Sequence, residues 1–221
     1  MGTPLEPAYR KRIGYQAVLL GGFSTLATAL LVAGNIATKD VIEERQKEDL
    51  LDSLAQVVPA ERYNNDLLAQ PLQIMDENGK PLTVYRGTVG SDVNSLAYEI
   101  SGQGYAGEIR LIMGLDADGK ILGVRVLSHA ETPGLGDKIE VAKNNWILGF
   151  NGLSLGEPPE SEWAVKKDGG RFDQFSGATI TPRGVVKAIK HGLEFFQAHR
   201  TELLNPPAET TETVAAKDKP L

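Results

Sequence analysis

The longest apolar stretch runs from Ile13 to Thr38, where no charged side chain interrupts Val18, Leu19, Leu20, Phe23, Leu26, Leu30, Leu31 and Val32. A helix of this length rises far enough to cross a hydrocarbon core of about 30 Å. Its Gly, Ser, Thr and Asn35 content suits a span with one face packed on other membrane helices. A cleaved signal peptide is the alternative, because Arg10, Lys11 and Arg12 precede the run and small residues lie near its end. The run exceeds the roughly 7 to 15 residues of a signal's apolar region, which favours an uncleaved anchor over 13–38. Beyond it the pattern becomes amphipathic. Charges crowd 43–49, and Leu50, Leu51, Leu54, Val57 and Val58 then recur at helical spacing. This predicts a stalk helix over 39–59, docking its later half on a domain and ending at Pro59.

Strand patterns follow. Apolar segments at 72–75 and 82–89 flank Asn78-Gly79, a strong hairpin signal. Segments at 109–115 and 121–127 flank a second turn from Asp116 to Lys120, and 94–100 supplies another strand. Val185, Ile189, Leu193 and Phe196 then repeat at helical intervals. Helices before and after hairpin-connected strands predict an α+β fold, an antiparallel sheet flanked by helices, in a domain over 60–204. From Asn205 onward, Pro206-Pro207 and a mixture of Thr, Glu, Lys and Ala lack any apolar period, predicting a disordered tail over 205–221.

Charge and composition narrow the chemistry. The 221 residues carry a net charge of -6, and no basic stripe is present to neutralise nucleic-acid phosphates. The absence of cysteine excludes disulfides, thiol chemistry and cysteine-ligated iron–sulfur clusters within this chain. His129, His191 and His199 show no metal-ligand spacing, so no metal site is expected. By the positive-inside rule, Arg10, Lys11 and Arg12 keep residues 1–12 in the cytoplasm, since Lys39, Asp40, Glu43 and Glu44 beyond the span are mixed in sign. The domain is then expected outside a bacterial inner membrane, in the periplasm of a Gram-negative cell.

Two small-residue segments are the candidate chemistry. In Asp173-Gln-Phe-Ser176-Gly177-Ala178-Thr179-Ile-Thr181-Pro182, Thr181 reads as a helix N-cap and Pro182 as the first helical residue. The unpaired amides and positive dipole end of such a helix would receive a phosphate carried near Thr179. A plain capping loop explains the same residues. His129-Ala-Glu131-Thr132-Pro133-Gly134-Leu135-Gly136-Asp137-Lys138 allows an unusual backbone path that brings amides and one apolar side chain against a flat ligand, although a tight strand-to-helix connection uses the same residue types.

Taken together, Glu131-Thr-Pro-Gly-Leu-Gly-Asp-Lys-Ile139, Trp163-Ala-Val-Lys-Lys-Asp-Gly-Gly170 and Phe172-Asp-Gln-Phe-Ser-Gly-Ala-Thr-Ile-Thr-Pro182 resemble the G-subunit family of the Rnf (Rsx) electron-transport complex. Val58-Pro-Ala-Glu-Arg-Tyr63 and Gly104-Tyr105-Ala-Gly107-Glu-Ile109 are similar to earlier segments of that family. The likeness extends from the anchor to about residue 200. It implies FMN held by a phosphoester to Thr179, with Asp173, Ser176, Gly177 and Ala178 completing the pattern read by a flavin transferase. The ring is then expected between the two loops, near Glu131, Thr132, Gly134, Leu135, Gly136 and Tyr105. Lys166, Lys167 and Lys138 are candidate cations for setting its potential, and Glu131 either accepts from the flavin N3–H or holds its loop shut.

The resemblance further implies an electron-carrying subunit without substrate turnover of its own. Its partners would be the membrane, iron–sulfur and flavin subunits of a complex coupling ferredoxin and NAD to Na⁺ or H⁺ movement. The C subunit of sodium-pumping NADH:quinone oxidoreductase is the neighbouring alternative, and a cofactor-free structural clamp is the alternative from another class. Topology is open to direct test: a reporter enzyme active only in the periplasm, fused after Lys39, should be active, and an expressed but silent fusion would reverse the orientation.

Overall fold

The computed structural model describes residues 13–76 and 79–205, so the basic N-terminus, Asn78 and the expected tail beyond Asn205 lie outside the described residues. The chain divides into two units, Met1–Leu50 and Leu51–Leu221. In the first unit the helix α1 (Ile13–Val57) begins. Its segment Ile13–Lys39 is long and apolar enough to cross a membrane, and Phe23, Leu30 and Leu31 are exposed. Hydroxyls along this segment are satisfied within the helix: Thr25 donates to the Gly21 carbonyl at 2.8 Å and Thr28 to that of Ser24 at 2.9 Å. The helix continues without a break through the region expected to form a separate stalk and ends at Val57, just before Pro59.

In the second unit, the end of α1 precedes five strands: β1 (Leu72–Met75), β2 (Pro81–Val89), β3 (Asp92–Gln103), β4 (Glu108–Asp116) and β5 (Ile121–Ser128). They pair antiparallel in sequence order, a meander. The fold is therefore α+β, as the alternation of hairpin strands and terminal helices predicts. Turn chemistry sets the register. Between β4 and β5, Asp116 Oδ1 accepts from the amides of Asp118 at 3.0 Å and Lys120 at 2.9 Å.

Both faces of the sheet are covered. On one lies the end of α1, where Leu54 and Val57 are buried. Val57 rests on the register pair Gly114 and Gly123; a Cβ on Gly114 would meet the Val57 carbonyl oxygen at 2.2 Å. The other face receives α2 (Ile180–Leu203), whose Val185, Ile189, Leu193 and Phe196 form a core with Leu96, Tyr98, Leu111 and Met113. Tyr98 is fully buried, which raises its phenol's pKa well above the usual value, and it donates to the Gly192 carbonyl at 2.8 Å.

Between β5 and α2 the chain forms no regular strand or α-helix. It winds through 3-10 turns at Asp137–Ile139, Asn145–Phe150, Glu160–Glu162 and Lys166–Asp168. An aromatic cluster organises this region: Phe150 stacks on Phe172 at 4.6 Å, Trp163 lies 5.2 Å from Phe172, and Trp146 meets Phe175 edge-on at 5.2 Å.

The contact that positions the start of α2 is between backbones. A Cβ on Gly184 would lie 2.2 Å from the Gln103 carbonyl oxygen, and one on Gly102 would lie 2.5 Å from that of Gly184. Since neither obstacle is a flexible side chain, Gly184→Ala should separate α2 from β3 and cost about 1–3 kcal/mol. Gly149→Ala, where nothing lies within 4 Å, should stay within about 0.5 kcal/mol. Urea unfolding of the full chain in detergent checks both, and equal midpoints would refute the close-contact account.

Candidate functional site

Helix α2 begins at Ile180, one residue before the expected N-cap. Thr181 is fully buried inside the first turn, and its hydroxyl donates to Glu131 Oε2 in a short hydrogen bond instead of capping the helix. Pro182 also falls inside the first turn, where its missing N–H leaves no helical bond unmade. The N-cap position belongs to Thr179, whose backbone is already helical and whose side chain makes no capping bond. Its half-buried side chain therefore holds a hydroxyl that capping does not use.

Glu131 joins three segments. Its Oε1 accepts from the Ala106 amide at 3.0 Å, and its Oε2 accepts from Thr181. Two glycines make room for it: a Cβ on Gly104 would lie 2.3 Å from Oε1, and one on Gly136 would lie 2.7 Å from Oε2. The side chain is buried, and charge-assisted bonds of this kind offset the cost of removing a carboxylate from water. The Glu131 amide donates to His129 Nδ1 at 3.0 Å, which leaves Nε2 to carry the ring hydrogen toward Glu140 Oε1 at 2.9 Å. Within the loop, the Thr132 carbonyl accepts from the amides of both Leu135 and Gly136 at 3.1 Å. Thr132 and Gly134 are exposed on the bend this creates.

The segment leading to Thr179 is fixed from below and from the side. Trp146 Nε1 donates to the Asp173 carbonyl at 2.8 Å, while Phe172 and Phe175 insert into the aromatic cluster. Lys166 Nζ lies 2.6 Å from Asp173 Oδ1, and the Lys167 amide donates to Gln174 Oε1 at 3.3 Å. Arg183 grips Asp168 with two bonds of 2.6 and 2.8 Å, tying α2 to the Lys166–Asp168 turn. Hydrogen bonding to that guanidinium lowers the Asp168 carboxyl below its ordinary pKa.

The Ala178 amide closes the last turn on the Phe175 carbonyl at 3.1 Å, and Gly177 takes φ 82°, a backbone region that favours glycine. Ser176 and Gly177 are exposed and Ala178 is half-buried. Leu135 reaches across from the other loop, its Cδ2 lying 3.5 Å from where a Gly177 Cβ would stand. The two loops thus lie side by side.

All the sequence-predicted residues except Lys138 are linked to this corner by the contacts above or by direct chain neighbours. Tyr105, beside Ala106, is 72% exposed, and Leu135 is 42% exposed. Lys138 sits half-buried in the Asp137–Ile139 turn. The ammonium of Lys166 is already engaged by Asp173, and both Glu131 oxygens already accept hydrogen bonds. Four contributors went unseen in the sequence: Trp146, the Thr181 bond to Glu131, the Arg183–Asp168 pair, and Ile180, which is 44% exposed beside Thr179. Only Arg183 and Asp168 carried a signal, as opposite charges on either side of the small-residue turn.

Residues 104–194 match the FMN-binding domain family, which covers β4, β5, the loops of the site and most of α2. The chain belongs to the G-subunit family of ion-translocating oxidoreductase complexes. It is 51% identical over 189 residues to the G subunit of the Cereibacter sphaeroides ion-translocating oxidoreductase complex, covering 86% of each chain. It is 47% identical to that of Stutzerimonas stutzeri, covering 91% of this chain and 88% of the relative. The solved structure of the C subunit of Na(+)-translocating NADH-quinone reductase from Parabacteroides distasonis shares the fold, with a TM-score of 0.50 at 21% identity over 72% of this chain and 95% of its own.

The buried bond between Thr181 and Glu131 gives a direct test. Thr181→Val leaves one oxygen of a buried carboxylate without its donor and should destabilise the full chain by about 1–3 kcal/mol. Thr181→Ser keeps the hydroxyl and should lose clearly less. Urea midpoints read the difference, and a loss in Thr181→Val no larger than that in Thr181→Ser would refute the weight given to the buried bond.

Proposed function

We propose that the chain is the FMN-carrying, membrane-anchored subunit of an Rnf-type complex, with the flavin attached to Thr179 through a phosphoester and the domain in the periplasm. One observation carries the attachment: Thr179 presents a hydroxyl unused by capping, at the mouth of a helix, in a turn braced by Trp146 and Lys166. Membership of the G-subunit family and the match to the FMN-binding domain support the choice of cofactor.

The residues present fit the group. At the start of α2, first-turn amides and the helix dipole favour the phosphate of a threonyl ester. Gly177 presents bare backbone beside the hydroxyl, and Leu135 forms an apolar wall against it. Ser176 and Asp173 lie on the accessible side of the turn, where a flavin transferase would read them together with Gly177 and Ala178. Thr132, Gly134 and Gly136 shape the neighbouring loop, and Tyr105 offers an exposed aromatic face. Glu131 acts as the strut holding loop and helix together. Lys166 and Lys167 order the turn, Lys166 through Asp173 and Lys167 through Gln174.

FMN, once bound, would supply reversible uptake and release of electrons. The chain's own work is to hold that group permanently at a fixed place, with no acid, base or nucleophile turning over a substrate. Electron transfer between ferredoxin and NAD, and the movement of Na⁺ or H⁺ coupled to it, would be completed by the membrane, iron–sulfur and flavin subunits of the complex.

Coexpressed with a flavin transferase, the full chain should fluoresce on a denaturing gel and gain the mass of an FMN ester. Thr179→Val should abolish both signals with the fold intact by circular dichroism. A fluorescent Thr179→Val protein would move the attachment elsewhere.

A further inference from the structure

His129 follows the last residue of β5, where the chain leaves the sheet for the loop that carries Glu131 and Leu135. Only 12% of its side chain is exposed, and both ring nitrogens are engaged. Nδ1 accepts the Glu131 amide at 3.0 Å and so carries no hydrogen; in the neutral ring the hydrogen sits on Nε2, 2.9 Å from Glu140 Oε1. The fold thus selects one tautomer and one charge state of this imidazole. A backbone N–H can only donate, so a proton added at Nδ1 would set two donors against each other. At Nε2 protonation changes nothing, because that nitrogen already donates.

We propose that His129 is a pH-sensitive latch: a proton taken up from solvent at Nδ1 breaks its hydrogen bond with the Glu131 amide and frees the 129–137 loop from the end of β5. The inference stands on the hydrogen bonds of His129 and is independent of the attachment at Thr179.

The charged groups around the ring set the direction. Glu140 faces it and, ionised, draws the proton on. The carboxylate of Glu131 is already engaged by Ala106 and Thr181. From β4, Arg110 stands opposite Ser128 in register, and Glu99 holds it at 2.6 Å. Farther along the loop, Asp137 and Lys143 face each other at 3.7 Å. One charge therefore promotes protonation, and one backbone bond resists it. Release would reach the turn before α2, because Leu135 lies beside Gly177, its Cδ2 3.5 Å from where a Gly177 Cβ would stand. An open latch lets Leu135 withdraw from that turn while the sheet stays formed.

The test follows amide hydrogen exchange of the full-length protein in detergent at about pH 8 and about pH 5, on either side of the range in which imidazoles ordinarily titrate. Exchange times are scaled for the intrinsic rate at each pH. Peptides covering 129–137 should lose protection by about tenfold at the lower pH, the ratio that one net hydrogen bond gives. Peptides covering β3 should keep theirs. His129→Asn supplies an acceptor oxygen near the place of Nδ1 and cannot titrate, so its loop should be equally protected at both values. Glu140→Gln removes the charge that draws the proton on and should move the loss to lower pH. Nitrogen-15 resonances of the ring, assigned by their absence from His129→Asn, read its tautomer and charge. A neutral ring with its hydrogen on Nδ1, or one that stays neutral at the lower pH, overturns the latch. Loop protection that survives a charged ring does the same, as does a loss that persists in folded His129→Asn or that Glu140→Gln leaves at the same pH.

Discussion

The site depends on one buried carboxylate. Glu131 accepts from the Ala106 amide after β3 and from the Thr181 hydroxyl in the first turn of α2, so one side chain fixes three segments distant in sequence. Removing water from a carboxylate is costly unless both oxygens find donors, and here both do. Gly104 and Gly136 follow from the same constraint, since a Cβ at either place would collide with the carboxylate. The glycine-rich character of the 131–136 loop thus reflects in part the space that Glu131 occupies.

A second layer of constraint acts through the backbone. Gly102 and Gly184 let α2 press against β3, and the Gly114–Gly123 pair lets Val57 lie flat on the opposite face. On the side of the 3-10 turns, Trp146 and the stacked rings of Phe150 and Phe172 replace regular hydrogen-bond ladders as the support for the turn at 173–178. The turn is exposed at Ser176 and Gly177 and braced behind them by these rings.

Much of the scaffold was legible in the sequence because it rests on local patterns. Apolar segments flanking Asp116–Lys120 specify a hairpin, and the spacing of Val185, Ile189, Leu193 and Phe196 specifies a buried helix face. The site was legible as residue types but only partly as geometry. Thr181 has the identity and position of an N-cap, yet a carboxylate fifty residues earlier in the chain takes its hydroxyl. Trp146 in the same way meets Asp173 across a stretch of 3-10 turns that has no periodicity to read.

The order of the meander has a temporal side. Each strand pairs with the one before it in sequence, so the contacts that build the sheet are short-range ones. Helix α2 is the last regular element among the described residues, and Thr181 cannot meet Glu131 until it docks. An incomplete chain can display the letters around Thr179 without their shape. On the attachment proposed at Thr179, an enzyme that recognises the braced turn would thereby act as a proofreader of folding, marking only molecules in which α2 is in place.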